Sequence, residues 1–171
     1  GLPVDVLYFD FRKAFDTVPH YRLLVKLENM GITGETLEIV GDFLSDRAMR
    51  VGVGDSFSEL IRIISGVPQG SVLGPILFLL FINDLPDHIK SRILLFADDL
   101  KLIANAVNKG IIDEDLKSLE RWEDLWCLRF NLDKCKVLHI SANDNPSNKY
   151  YLDSTELVPT VSEKDLGFTM D

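Results

Sequence analysis

Histidine and cysteine are nearly absent, at three and two of 171 residues. Cys127 and Cys135 supply neither a metal-ligand pattern nor a disulfide framework. A reducing, intracellular setting is therefore expected, with both thiols used as small apolar packing groups. Long hydrophobic runs are also lacking. The most apolar stretch, Ile76 to Ile82, is far shorter than the roughly 20 residues that cross a bilayer, so it reads as a core helix and no membrane partner is expected. No low-complexity tract, internal repeat or signal peptide is found, and Gly1-Leu2-Pro3 reads as the interior of a longer chain. Basic charge is short as well: 18 Lys and Arg against 27 Asp and Glu leave a formal charge of −9. That balance disfavours a surface that holds nucleic acid by bulk electrostatics alone.

What remains is an ordinary globular composition, 46% hydrophobic and 26% charged, in a length that fits one domain over residues 1–171. The stretch that organises it is Phe96-Ala97-Asp98-Asp99. The apolar run Ile93 to Ala97 reads as a buried strand and Leu100 to Ile103 as its return, which puts the acid pair at a hairpin turn. Neighbouring side chains on a strand point to opposite faces, whereas a turn lets two carboxylates approach one point. Carboxylates so held suit Mg2+, a hard cation that takes oxygen ligands. An Asp pair is also ordinary turn chemistry, so the rest of the chain decides its meaning.

Val4 to Phe9 is a β-branched and aromatic strand that delivers Asp10 at its end, and Phe11 to Asp16 forms a compact turn after it. Leu23, Leu24, Leu27 and Met30 share a helical face over His20 to Met30, with Gly31 closing the helix. A second helix runs from Gly34-Glu35 through Leu44. Met49 to Val53 and Phe57 to Ile64 read as a hairpin turning at Gly54-Asp55. Ser65 to Pro75 then packs three glycines and two prolines into irregular backbone that something approaches closely, and Pro75 opens the helix Ile76 to Ile82. Asp113 to Phe130 is amphipathic, with Leu116, Leu119, Trp122, Leu125 and Trp126 on its inner face. The chain continues through a strand at Val137 to Ile140, a polar loop at Asn143 to Asn148, a hairpin around Asp153-Ser154 and a further strand from Lys164 to Phe168. His20 and His88 have no assigned role.

The order of these pieces resembles the palm of reverse transcriptases, above all those of non-LTR retrotransposons, LINE elements of jockey-like type. The matching stretches are Phe9-Asp10-Phe11-Arg12-Lys13-Ala14-Phe15-Asp16-Thr17-Val18-Pro19-His20, Ser65 through Pro75, Phe96-Ala97-Asp98-Asp99 and Asn131 through Lys136, with Leu166-Gly167 similar to a following motif. The resemblance implies an α/β right-hand polymerase palm with part of the fingers, a small antiparallel sheet backed by the helices at Ile76 to Ile82 and Asp113 to Phe130. It implies RNA-directed DNA polymerase activity, a two-metal nucleotidyl transfer to a primer 3′-hydroxyl. Asp10, Asp98 and Asp99 would be the metal-binding catalytic acids for two Mg2+ ions, with Mn2+ as a substitute, and Lys134 the proton donor to pyrophosphate. Phe11, Phe15, Pro68, Gln69 and Gly70 would bind the nucleotide, with Phe15 as the steric gate against a 2′-hydroxyl.

The implied partners are an RNA template, a DNA primer, deoxynucleoside triphosphates and the rest of a polyprotein that supplies fingers, thumb and an endonuclease. The implied location is the nucleus or a cytoplasmic ribonucleoprotein. A polymerase core is a permitted exception to the charge argument, because metal offsets its carboxylates and basic strand-binding surfaces can lie in other domains. Leu100 departs from the Thr common in the family, and the upstream fingers and downstream thumb are missing, so the isolated 171 residues are expected to be inactive or nearly so. Two other readings compete. One is a non-catalytic, domesticated remnant that binds RNA or protein. The other is an unrelated magnesium phosphohydrolase, which leaves the Pro-Gln-Gly loop unexplained.

Overall fold

The computed structural model describes residues 2–140, 148–165 and 167–170. In chain order the main elements are β1 (Val4–Asp10), the single turn α1 (Ala14–Thr17), α2 (His20–Asn29), α3 (Glu35–Leu44), α4 (Leu73–Ile82), β2 (Arg92–Phe96), β3 (Asp99–Asn105), α5 (Lys109–Trp126), β4 (Lys136–Ile140) and β5 (Val158–Thr160). They fall into two compact units, Gly1–Arg12 with Asp84–Asp171, and Lys13–Asn83.

The first unit is built on a five-stranded sheet in the order β5-β4-β1-β3-β2. β1 lies at its centre, antiparallel to β3 and β4, because its alternating residues have partners to bury against on both sides. Leu7 and Phe9 of β1, Leu100 and Leu102 of β3 and Val137 of β4 are all buried. β5 runs parallel to β4, so the sheet is mixed rather than purely antiparallel as expected. The connection between them is long enough for a parallel return, and it contains the small hairpin of Tyr151–Leu152 and Thr155–Glu156 that turns through left-handed Asp153 and Ser154.

Four local expectations are corrected here. β2 is the outer strand and not a buried one: Phe96 is 63% exposed, since an edge strand has a neighbour on one side only. α5 begins at Lys109 and stops at Trp126, where Cys127 enters the left-handed region at φ 54°. Leu125 leaves the inner face, 61% exposed, while Ile112, Leu116, Leu119 and Trp122 are buried. Finally, the strand expected from Lys164 to Phe168 is a hairpin, Glu163–Asp165 against Phe168–Met170, because Gly167 takes φ 90° and reverses the chain. The polar loop expected at Asn143 to Asn148 lies outside the described residues except for Asn148.

In the second unit α2 buries Leu23 and Leu27 and ends before Gly31, which takes φ 87° as a closing glycine does. α4 starts at Leu73, earlier than the apolar run suggested. The Ser71 hydroxyl, one residue before the Val72 N-cap, accepts the Gly74 N–H at 2.9 Å and donates to the Pro68 carbonyl at 2.7 Å, which ties the loop to the first turn ahead of the apolar residues. The Lys26 ammonium, buried, donates to the Phe81 carbonyl of α4 at 2.5 Å. The hairpin expected after α3 forms as two short ladders, Ala48–Met49 with Ile61–Arg62 and Gly52–Val53 with Ser56–Phe57, around Gly54 at φ 58°. No helix among the described residues is long and apolar enough to cross a membrane.

Candidate active site

The acids meet at one end of the β1–β3 pair. Asp10, the last residue of β1, is the cross-strand partner of Asp99, the first residue of β3, which in turn faces Phe96 of β2. Cross-strand partners point to the same face, so the Asp10 and Asp99 carboxylates share one side, and alternation puts Tyr8 and Lys101 on that side in the next paired row. Ala97 and Asp98 form the two-residue loop between β2 and β3. Ala97 sits at φ 51°, a left-handed conformation that costs an alanine on the order of 1 kcal/mol and is tolerated here because the ladders on both sides hold it. Asp98 is half-buried and Asp99 exposed.

Opposed like charges on adjacent strands destabilise one another, so the Asp10–Asp99 pair favours a bound cation. An all-carboxylate donor set fits a hard divalent ion. Among the described residues no three of His, Cys, Asp and Glu stand together so as to hold a metal ion, so the fold pairs Asp10 with Asp99 without gathering Asp10, Asp98 and Asp99 into one ligand set.

A loop after α5 fastens the end of β1. The Asn131 N–H donates to the Asp10 carbonyl and the Arg12 N–H to the Arg129 carbonyl, each at 2.7 Å, which pairs Phe11 with Phe130 as an isolated bridge. The two rings stack at 4.7 Å, both buried. The Phe11 ring therefore packs into the core, leaving its main chain as the part of this residue at the end of β1. The Lys134 N–H donates to the Asn131 carbonyl at 2.9 Å, and the turn delivers the Lys134 ammonium to both Asp10 oxygens, at 3.2 and 3.3 Å. Both groups are solvated enough that this pair contributes no more than about 1 kcal/mol. Cys135, next in the turn, is buried, and burial pushes its thiol up to about 11. In front of the acids lies a cleft of about 520 Å³ lined by Tyr8, Leu94, Phe96, Lys101 and Lys136 with Asp10 and Asp99.

The glycine-rich loop belongs to the second unit, where it lies along the segment after α1. Val67 N–H donates to the Phe15 carbonyl at 2.7 Å and Gly66 N–H to the Val18 carbonyl at 2.8 Å. Gly66 takes φ 91°, and a Cβ there would lie 2.8 Å from the Asp16 carbonyl oxygen, so the close approach expected of this loop is made by the chain's own backbone. Gln69 Nε2 donates to Asp16 Oδ1 at 3.1 Å. Phe15 is half-buried and stacks on Phe78 at 4.6 Å, Pro68 is half-buried, and Gly70 is exposed at φ 83°. His20, given no role from sequence, places Nε2 2.8 Å from the Gly66 carbonyl oxygen.

Sequence reasoning also missed a buried polar cluster. Asp5, fully buried on β1, accepts from the Tyr150 hydroxyl at 2.5 Å and lies 2.7 Å from Nδ1 of His139. A single aspartate inside an apolar strand was its only signal.

A central strand ending in one aspartate opposite the acidic hairpin of its neighbour, in a helix-backed sheet, defines a right-hand polymerase palm. Residues 5–169 match the family described as "Reverse transcriptase (RNA-dependent DNA polymerase)", and the chain belongs to that family. It is 29% identical to the RNA-directed DNA polymerase from mobile element jockey of Drosophila melanogaster, over 96% of this chain and 19% of that protein. It is 28% identical to the Pol polyprotein of the type-1 retrotransposable element R2 of Popillia japonica, over 94% of this chain and 25% of the relative. The jockey comparison means that the chain spans about a fifth of the length of that curated relative. Among solved structures, apo telomerase from Candida tropicalis shares the fold, with a TM-score of 0.64 at 17% identity over 91% of this chain and 34% of that one.

Proposed function

We propose that the chain is the catalytic palm of an RNA-directed DNA polymerase of LINE type, acting within a longer protein on an RNA template, a DNA primer and deoxynucleoside triphosphates. The observation that carries this reading is the cross-strand pairing of Asp10 with Asp99 beside the Ala97-Asp98 turn. Asp10 and the Asp98-Asp99 pair would hold the divalent ions, Mg2+ with Mn2+ as a substitute. Metal bound there would supply charge neutralisation at the attacking and leaving oxygens of an in-line displacement.

The side chains then divide the remaining work. Lys134, whose ammonium lies 3.2 Å from an Asp10 carboxylate oxygen, stands within reach of the reacting end and donates a proton as pyrophosphate departs. Phe15, braced by Phe78, selects against a 2′-hydroxyl, and Gln69, oriented by Asp16, contacts the incoming nucleotide along with the backbone of Pro68 and Gly70. The site works in the nucleus or in a cytoplasmic ribonucleoprotein.

Primer extension on an RNA template tests this reading, with the chain expressed together with the flanking sequence its relatives carry. Magnesium-dependent DNA synthesis is expected, lost by a factor of 100 or more, as an order of magnitude, in Asp10→Asn and in Asp98→Ala. Undiminished synthesis in either variant would overturn the assignment of that acid, and no synthesis from a well-folded wild type would overturn the polymerase reading.

A further inference from the structure

α5 is amphipathic, yet two of its fully buried side chains are carboxylates, Asp115 and Glu123. They lie eight residues apart, about 12 Å along the helix axis. Neither lines the cleft in front of the acids, and each accepts main-chain N–H hydrogen bonding, two bonds for Asp115 and one for Glu123, from a segment that leads to one of the site's acids.

Asp115 takes two such bonds, from Lys90 N–H at 2.7 Å to Oδ1 and from Ser91 N–H at 2.9 Å to Oδ2. Those residues immediately precede β2, the strand that ends at the Ala97-Asp98 turn. Glu123 Oε1 takes the Phe130 N–H at 3.1 Å. Phe130 is the middle of the fastening loop: its neighbours Arg129 and Asn131 bond the backbone of Arg12 and Asp10, and Asn131 anchors the turn bearing Lys134. The other Glu123 oxygen is buried with no hydrogen-bond partner among the described residues. The charged groups nearest the carboxylate are Arg129, 3.6 Å away, with Asp124 and Asp153.

An apolar side chain would pack at either position without the cost of burying a carboxylate, but it could not hold an N–H group in place. We propose that α5 is the mount that registers the two acid-bearing segments of the site, with Asp115 and Glu123 as its positioning residues. The anchoring claim stands on geometry alone; its effect on metal binding rests on the polymerase reading above.

The test uses Mn2+ affinity, read by electron paramagnetic resonance, together with amide hydrogen exchange at Ser91, Phe130 and Asn131. Glu123→Met and Asp115→Leu keep bulk and remove the acceptor, while Glu123→Gln keeps an acceptor oxygen. Leu119→Ala, a core deletion on the same helix, serves as the control for lost stability alone. Glu123→Met is expected to weaken Mn2+ binding about 10-fold and to speed exchange at Phe130 and Asn131, with Glu123→Gln within about 2-fold of wild type. Asp115→Leu is expected to weaken Mn2+ binding and to speed exchange at Ser91. Leu119→Ala is expected to lower the melting temperature and leave Mn2+ affinity alone.

Wild-type affinity in Glu123→Met and Asp115→Leu would overturn the proposal. So would an affinity that follows melting temperature across the whole set, Leu119→Ala included. If one apolar variant fails to fold, the other decides. If the wild type binds no Mn2+, the metal reading fails separately, and unchanged exchange at Ser91, Phe130 and Asn131 in the variants would then overturn the anchoring.

Discussion

Glu123 makes the stability of this chain depend on pH in an uncommon direction. Its carboxyl is pushed from the ordinary 4.5 up to about 7, first by burial and then by the negative charge of Asp153, against the lowering effect of the Phe130 N–H and of Arg129. The folded chain therefore holds this proton more tightly than the unfolded chain does. Stability from the group is complete below pH 4.5 and is lost as pH rises to about 7, where the carboxylate must ionise in place. A shift of that size is worth about 3 kcal/mol.

Glu123→Gln removes the titration while keeping an acceptor for Phe130. The stability of the variant relative to wild type should thus rise between pH 5 and 8 by up to about 3 kcal/mol, roughly 6 to 12 °C in melting temperature. Urea unfolding of both proteins across that range measures it. The change with pH is the quantity to read, because the buried amide carries its own cost of about 1–3 kcal/mol at every pH. Parallel profiles for the two proteins would refute the burial of an ionisable Glu123.

Two further outcomes follow from local geometry. At pH 8 iodoacetamide should modify exposed Cys127 in the native chain and leave Cys135 untouched until urea unfolds it, since the buried thiol is held up to about 11; equal labelling rates would contradict the packing of the Asn131–Lys136 turn. Gly66→Ala should cost about 3 kcal/mol, with its Cβ 2.8 Å from the Asp16 carbonyl oxygen at φ 91°, whereas Gly70→Ala, at φ 83° in open space, should cost about 1; similar urea midpoints for the two would refute the close approach.

How much of this was legible in sequence depended on the range over which each feature is encoded. The acidic hairpin is local: an apolar run, turn residues and a return strand suffice to place it, but the turn falls at Ala97-Asp98, one residue before the expected Asp98-Asp99, because Asp99 already pairs with Phe96 and Asp10 as the first residue of β3. The helix around Leu23 and Leu27 and its closing Gly31 are local in the same sense. The exposure of Phe96 is not local, because an edge strand and a central strand carry similar residues and only the sheet order separates them. Asp115 and Glu123 were illegible for another reason. A helical pattern counts carboxylates as solvent-facing, and what draws them inward is main chain at Lys90, Ser91 and Phe130, which has no side-chain signature.

The convergence of Asp10 with Asp99 lies between these cases. They are far apart in sequence, and no local rule pairs β1 with β3. Once the strands do pair, however, the adjacent Phe9 and Asp10 leave little freedom. Phe9 is 3% exposed and is the partner of buried Leu100, while Asp10 is the partner of Asp99. A slip of one residue would set Phe9 opposite Asp99 and a core leucine opposite Tyr8, exchanging the two faces of the strand. The apolar alternation that forms the core therefore also sets where the carboxylates meet, and the register of the site is as secure as the burial of Leu7, Phe9, Leu100 and Leu102.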